Sequence, residues 1–102
     1  MITWITGESG SGKTTLAKKL IKLDGGIHLD GDQMRTCWKL GFTLKDRAEN
    51  NLRIAKIARI LSNQGFNVII STICPTEFLK LKVKLMTNCR MIRLDGGTPW
   101  QS

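Results

Sequence analysis

Tyrosine is absent from this 102-residue sequence, histidine occurs once, proline twice and cysteine three times. Cys37, Cys74 and Cys89 are odd in number, widely spaced and without a C-x-x-C pair, which excludes a disulfide framework and a cysteine zinc site. Reduced, partly buried thiols are expected. The single histidine, His28, sits in an apolar strand-like stretch and reads as a structural imidazole with no role in chemistry. No apolar run approaches the ~20 residues of a membrane-spanning helix. Met1 leads at once into a strand pattern with no signal segment, so a cytoplasmic protein with no membrane contact is expected. Acidic residues are scarce, 8 against 16 Lys plus Arg, for a net charge of +8. That imbalance fits polyanionic partners, nucleotides or nucleic acid. Much of it lies on a helical outer face (Lys18, Lys19, Lys22), so small nucleotides are expected rather than nucleic acid. With 41% apolar and 24% charged residues the composition is that of an ordinary globular protein, and the length suits one domain over residues 1–102.

The chain is organised around Gly7-Glu8-Ser9-Gly10-Ser11-Gly12-Lys13-Thr14-Thr15, which fits G-x-x-x-x-G-K-[ST]. Glycines let successive backbone N–H groups turn inward around a phosphate, because no Cβ obstructs the approach or penalises a positive φ. Gly7, Ser9, Gly10, Ser11, Gly12, Lys13, Thr14 and Thr15 are therefore expected to hold a nucleoside triphosphate. Lys13 would reach its β- and γ-phosphates, and the Thr14 hydroxyl the Mg²⁺ that bridges them. Context agrees. Ile2 to Thr6 is a β-branched and aromatic run, and Leu16, Ala17, Leu20 and Ile21 recur at helical spacing.

Downstream, the first helix is expected over 12–23, ending at Gly25-Gly26, then a strand over 27–29 ending in Asp30-Gly31-Asp32. A short helix follows over 33–39, and a long one capped by Thr43 and ended by Gly65, with Ala48, Leu52, Ala55, Ala58, Ile60 and Leu61 as its buried stripe. Residues 66–71 have the continuous β-branched character of a strand buried on both faces. Residues 76–86 satisfy both a strand and a helix template; a helix is favoured, because two parallel strands need a crossover. A last strand is expected over 91–94 and a turn over 95–99. Strands alternating with helices imply an α/β, three-layer fold with a small parallel sheet of about four strands. Right-handed crossovers then bring Asp30, Asp32, Ser71 and Cys74 to the loop side. Either aspartate can serve the Mg²⁺ shell or accept a proton, so Lys13, Asp30 and Asp32 are the catalytic candidates, and Thr14, Asp30 and Asp32 the metal ligands.

Taken with Leu29 to Arg35, Leu40 to Thr43, Asp46-Arg47-x-Glu49-Asn50 and Ile69 to Pro75, the loop resembles the adenylyl-sulfate kinases over roughly residues 1–80. The resemblance implies a three-layer P-loop kinase that uses ATP and Mg²⁺ to phosphorylate the 3′-hydroxyl of adenosine 5′-phosphosulfate in sulfate assimilation. It also implies that Phe42 stacks on the acceptor's adenine, that Arg35, Arg47 and Asn50 bind its phosphosulfate and sugar, and that Ser71 and Ile73 line its pocket. The sequence departs from the family at Cys74, where a serine is usual, and at Glu77-Phe78-Leu79, where a basic residue is expected. The family's lid and base-binding region would lie beyond Ser102. Another small-molecule or polynucleotide-end kinase, or a nucleotide-binding protein without turnover, stands as the alternative, and a homo-oligomer is compatible with the sequence.

Overall fold

A computed structural model describes residues 1–94. The elements run β1 (Ile2–Thr6), α1 (Lys13–Asp24), β2 (Ile27–Asp30), α2 (Gly31–Cys37), α3 (Leu44–Asn63), β3 (Val68–Thr72), α4 (Glu77–Thr87) and β4 (Arg90–Arg93). The four strands form one sheet in the order β2-β3-β1-β4, with every pair parallel. All five residues of β1 and all five of β3 are buried, as central strands covered on both faces must be.

Alternation along the strands divides the core in two. Trp4, Leu29 and Ile70 join Ile54, Ala55, Ala58, Leu79 and Val83 beneath α3 and α4. Ile5 and Ile69 join Ala17, Leu16, Leu20 and Ile21 beneath α1. The molecule is thus the expected three-layer α/β sandwich, α1 on one side and α2, α3 and α4 on the other.

Three expectations are corrected. The second helix begins at Gly31, two residues early, because the Asp30 carboxylate caps it by accepting from the Asp32 amide at 3.4 Å. The third strand starts at Val68, leaving Phe66 44% exposed. On α3 the buried face carries Asn50, Asn51, Ile54, Ala55 and Ala58, whereas Ile60 is 57% exposed. Two polar asparagines had masked the true phase of that stripe. Residues 76–86 do form a helix, capped by the Thr76 hydroxyl accepting from Leu79 N at 3.1 Å. Leu79 and Val83 face the core, while Phe78, Leu81 and Leu85 face outward, so the apparent alternation is two helical stripes side by side. The turn expected over 95–99 lies outside the described residues.

Candidate active site

Parallel pairing puts the carboxyl ends of all four strands on one rim, and the 7–12 loop crosses it between β1 and α1. The loop is closed internally: the Ser11 amide donates to the Glu8 carbonyl at 3.1 Å, and Lys13 Nζ donates to the same oxygen at 2.8 Å. Gly10 and Gly12 have φ of 80° and 92°, and a Cβ at either would meet nothing within 4 Å. Their backbones therefore line an open concavity at the amino end of α1, the shape and polarity that phosphates require. Gly7 has the opposite constraint. A Cβ there would lie 2.8 Å from the Leu94 carbonyl and 2.6 Å from Ser11 Oγ, so glycine lets the loop sit down on the end of the sheet.

Above the loop opens a chamber of about 750 Å³. Ser9, Gly10, Gly12, Lys13, Thr14 and Thr15 form its floor, Asp30 and Asp32 one wall, Arg35, Phe42, Arg47 and Asn50 another, and Asn51, Ser71, Thr72 and Ile73 the back. Of the residues singled out from sequence, Gly7, Ser11 and Cys74 do not line it. The Ser11 hydroxyl is buried beneath the loop without a hydrogen-bond partner among the described residues. Cys74 is also displaced from the expected cluster: it is buried in the core below a neighbouring chamber. Burial pushes its thiol up to about 12, so it is a neutral wall rather than a nucleophile.

Burial also lowers the Lys13 pKa, opposed by Asp32, then Asp30, then Glu8. Both aspartates thus favour the charged ammonium. Among the described residues no three His, Cys, Asp or Glu side chains cluster to hold a metal by themselves. Thr14 with Asp30 and Asp32 nevertheless fits Mg²⁺, which takes one or two carboxylates and completes its shell with phosphates and water.

The Phe42 wall is built by backbone clamps. Arg35 Nη1 donates to the Leu40 carbonyl at 3.1 Å and its guanidinium lies 4.0 Å from the Phe42 ring centroid. Arg47 Nε donates to the Phe42 carbonyl at 3.0 Å, and the Gly41 amide donates to Asp46 Oδ2 at 3.0 Å. Phe42 is thereby held 65% exposed with a cation over its ring. Asn50 lines the chamber and also binds the scaffold. Its Nδ2 donates to the Gly31 carbonyl at 3.1 Å and its Oδ1 accepts from Trp38 Nε1 at 2.9 Å, tying α3 to both ends of α2.

Sequence reasoning overlooked a buried chain that runs through the back wall. Trp4 Nε1 donates to Thr72 Oγ1 at 2.8 Å, Thr72 donates to Asn51 Oδ1 at 2.7 Å, and Asn51 Nδ2 donates to the Arg47 and Ile73 carbonyls at 2.8 and 3.1 Å. Two adjacent asparagines inside a helix are poor helix formers and were the available signal. His28 is the structural imidazole expected: its Nε2 lies 2.8 Å from Ser71 Oγ, and burial lowers its pKa, so a neutral ring braces a chamber residue.

Comparison with known proteins agrees with this geometry. A sequence model of the family described as Adenylylsulphate kinase matches residues 1–95. The adenylyl-sulfate kinase of Shewanella halifaxensis is 38% identical over 107 residues, covering 97% of this chain and 52% of that protein. The chain spans about half the length of the curated relatives it matches. A structure of the Mycobacterium tuberculosis APS kinase in complex with AMPPNP and APS is 30% identical with a TM-score of 0.72, covering 92% of this chain and 60% of that one. A hexameric APS kinase from Thiobacillus denitrificans is 26% identical, also at 0.72, covering 92% and 21%. Among the described residues no helix is long and apolar enough to cross a membrane. The phosphate-loop chamber thus sits in a chain that belongs to the adenylyl-sulfate kinase family.

Proposed function

We propose that this chamber transfers the γ-phosphoryl group of ATP to the 3′-hydroxyl of adenosine 5′-phosphosulfate. The observation that carries the reading is that one undivided cavity joins the loop floor and Lys13 to the Phe42, Arg35 and Arg47 wall. A donor gripped by its phosphates and an acceptor stacked on Phe42 would share it. The structure of the Mycobacterium tuberculosis relative with AMPPNP and APS supports the same pairing of ligands.

The loop amides and Lys13 would orient the donor's phosphates, and Phe42 and Arg47 would bring the acceptor hydroxyl in line with the γ-phosphorus. Attack forms the O3′–P bond and breaks the bond to the β–γ bridging oxygen, whose electron pair departs with ADP. Asp30 or Asp32 takes the hydroxyl proton. Thr14 and the aspartates would hold Mg²⁺, which neutralises charge on the phosphate oxygens when bound. Positioning and electrostatics carry most of such a reaction.

The test measures ADP formation from Mg²⁺–ATP with adenosine 5′-phosphosulfate, AMP, gluconate or a 5′-hydroxyl oligonucleotide as acceptor. Turnover with the phosphosulfate alone is expected, and Lys13→Ala should lower it by about 10²–10³-fold. Equal turnover with another acceptor contradicts the reading.

A further inference from the structure

A second chamber, of about 940 Å³, opens on the β4 side of the loop and meets the first at Ser9, Arg47 and Ile73. Its floor is neutral: Thr6, Ile73, Cys74, Pro75 and Leu94, with the Cys74 thiol protonated. Its charged lining is Arg47, Lys80 and Arg93 against Glu8 alone. Lys80 Nζ and Arg93 Nη2 converge on a single oxygen, Glu77 Oε1, at 3.2 and 2.8 Å. The Lys80 side chain is only 17% exposed. Among the described residues Glu77 is the sole acceptor for either side chain, and Arg47 has only the Phe42 carbonyl. Three cations with spare donors therefore line this chamber against one carboxylate, Glu8. The Glu77 carboxylate, 74% open to solvent, holds two of them in place.

We propose that this second chamber is an oxyanion subsite, taking a phosphate or sulfate group on Lys80 and Arg93 with Arg47 shared between the two chambers. Charge-assisted bonds to such a group are stronger than neutral ones, and the planar arginine forks suit tetrahedral oxyanions. The Glu77 carboxylate competes for the same donors, so its removal has the opposite sign to removal of the cations.

Assignment of the oxyanion to donor or acceptor rests on the kinase reading, but the subsite itself is tested without turnover, by calorimetric titration of inorganic pyrophosphate into Lys13→Ala protein, whose loop grip is lost. Residual binding is expected. Lys80→Gln with Arg93→Gln should weaken it at least tenfold, and Glu77→Gln should tighten it. Lys82→Ala with Lys84→Ala removes the same charge from exposed positions on α4 and should leave it within about twofold, which separates a site from the general attraction of a basic protein. The melting temperature of each variant without ligand checks folding. Titration of the loop-intact double variant with adenosine 5′-phosphosulfate and with ADP assigns the oxyanion to acceptor or donor by which affinity falls. No residual pyrophosphate binding, equal losses in the Lys82/Lys84 control, or weaker binding in Glu77→Gln would overturn the subsite.

Discussion

Arg47 is anchored by Nε on the Phe42 carbonyl, so its terminal nitrogens face the chambers while its backbone carbonyl accepts from Asn51. A ligand role and a structural role are thus separable within one residue. Arg47→Ala should weaken adenosine 5′-phosphosulfate by about 1.5–3 kcal/mol, the worth of a hydrogen bond to a charged group, with ATP affinity nearly unchanged. Calorimetry reads both, and equal losses would make it structural. The cysteines separate similarly. Cys37 is exposed, whereas Cys74 and Cys89 are buried with thiols that burial raises. Alkylation at pH 8 should modify Cys37 quickly and the other two only on unfolding. The Cys74 pKa rises from 9.0 to about 12 on folding, so the unfolded chain holds fewer protons between those values. Its contribution to stability is intact below pH 9 and falls above it, by about 1.4 kcal/mol per pH unit. Cys74→Ala should remove that component of the alkaline slope, read by urea denaturation at pH 8 and pH 10.

At the scale of elements, the buried chain Trp4–Thr72–Asn51 fastens β1, β3 and α3 together at the back wall of the chamber. Thr72→Val keeps the shape but strips partners from a buried indole N–H and a buried amide oxygen. It should cost about 2–4 kcal/mol in chemical denaturation, since each unsatisfied group costs about 1–3. A loss below about 1 kcal/mol would mean that the chain does not fasten these elements. The existence and type of the described elements were legible from periodicity, caps and glycines, except α4, whose type followed from the crossover that parallel strands need; phases were not legible. Asn50 and Asn51 occupy inward positions of α3 that a hydrophobic count rejects, and Ile60 an outward one that it accepts. Only the tertiary partners Gly31, Trp38, Thr72 and Ile73 explain why polar groups belong there.

On the scale of the molecule, a parallel sheet ordered β2-β3-β1-β4 sends residues far apart in sequence to one rim. That is why Lys13, Asp30, Asp32 and Ser71 could be gathered from sequence order and found around one chamber, which Phe42 and Arg47, suggested by the family resemblance, also line. Spacing and topology carry that information. They do not show that Asn50 bonds the Gly31 carbonyl or that the Ser11 hydroxyl is buried, and they gave no sign of the Glu77 clamp on Lys80 and Arg93. The account rests on the loop being a phosphate cradle. Its most direct test is the melting temperature of wild type and Lys13→Ala with and without Mg²⁺–ADP. A ligand at a hundredfold its dissociation constant stabilises the folded state by about 2.7 kcal/mol, a shift on the order of 10 °C for a chain of this size. The wild type should show that shift and Lys13→Ala should lose most of it, whereas an equal shift in both proteins would contradict the assignment of Gly7 to Thr15 as the site.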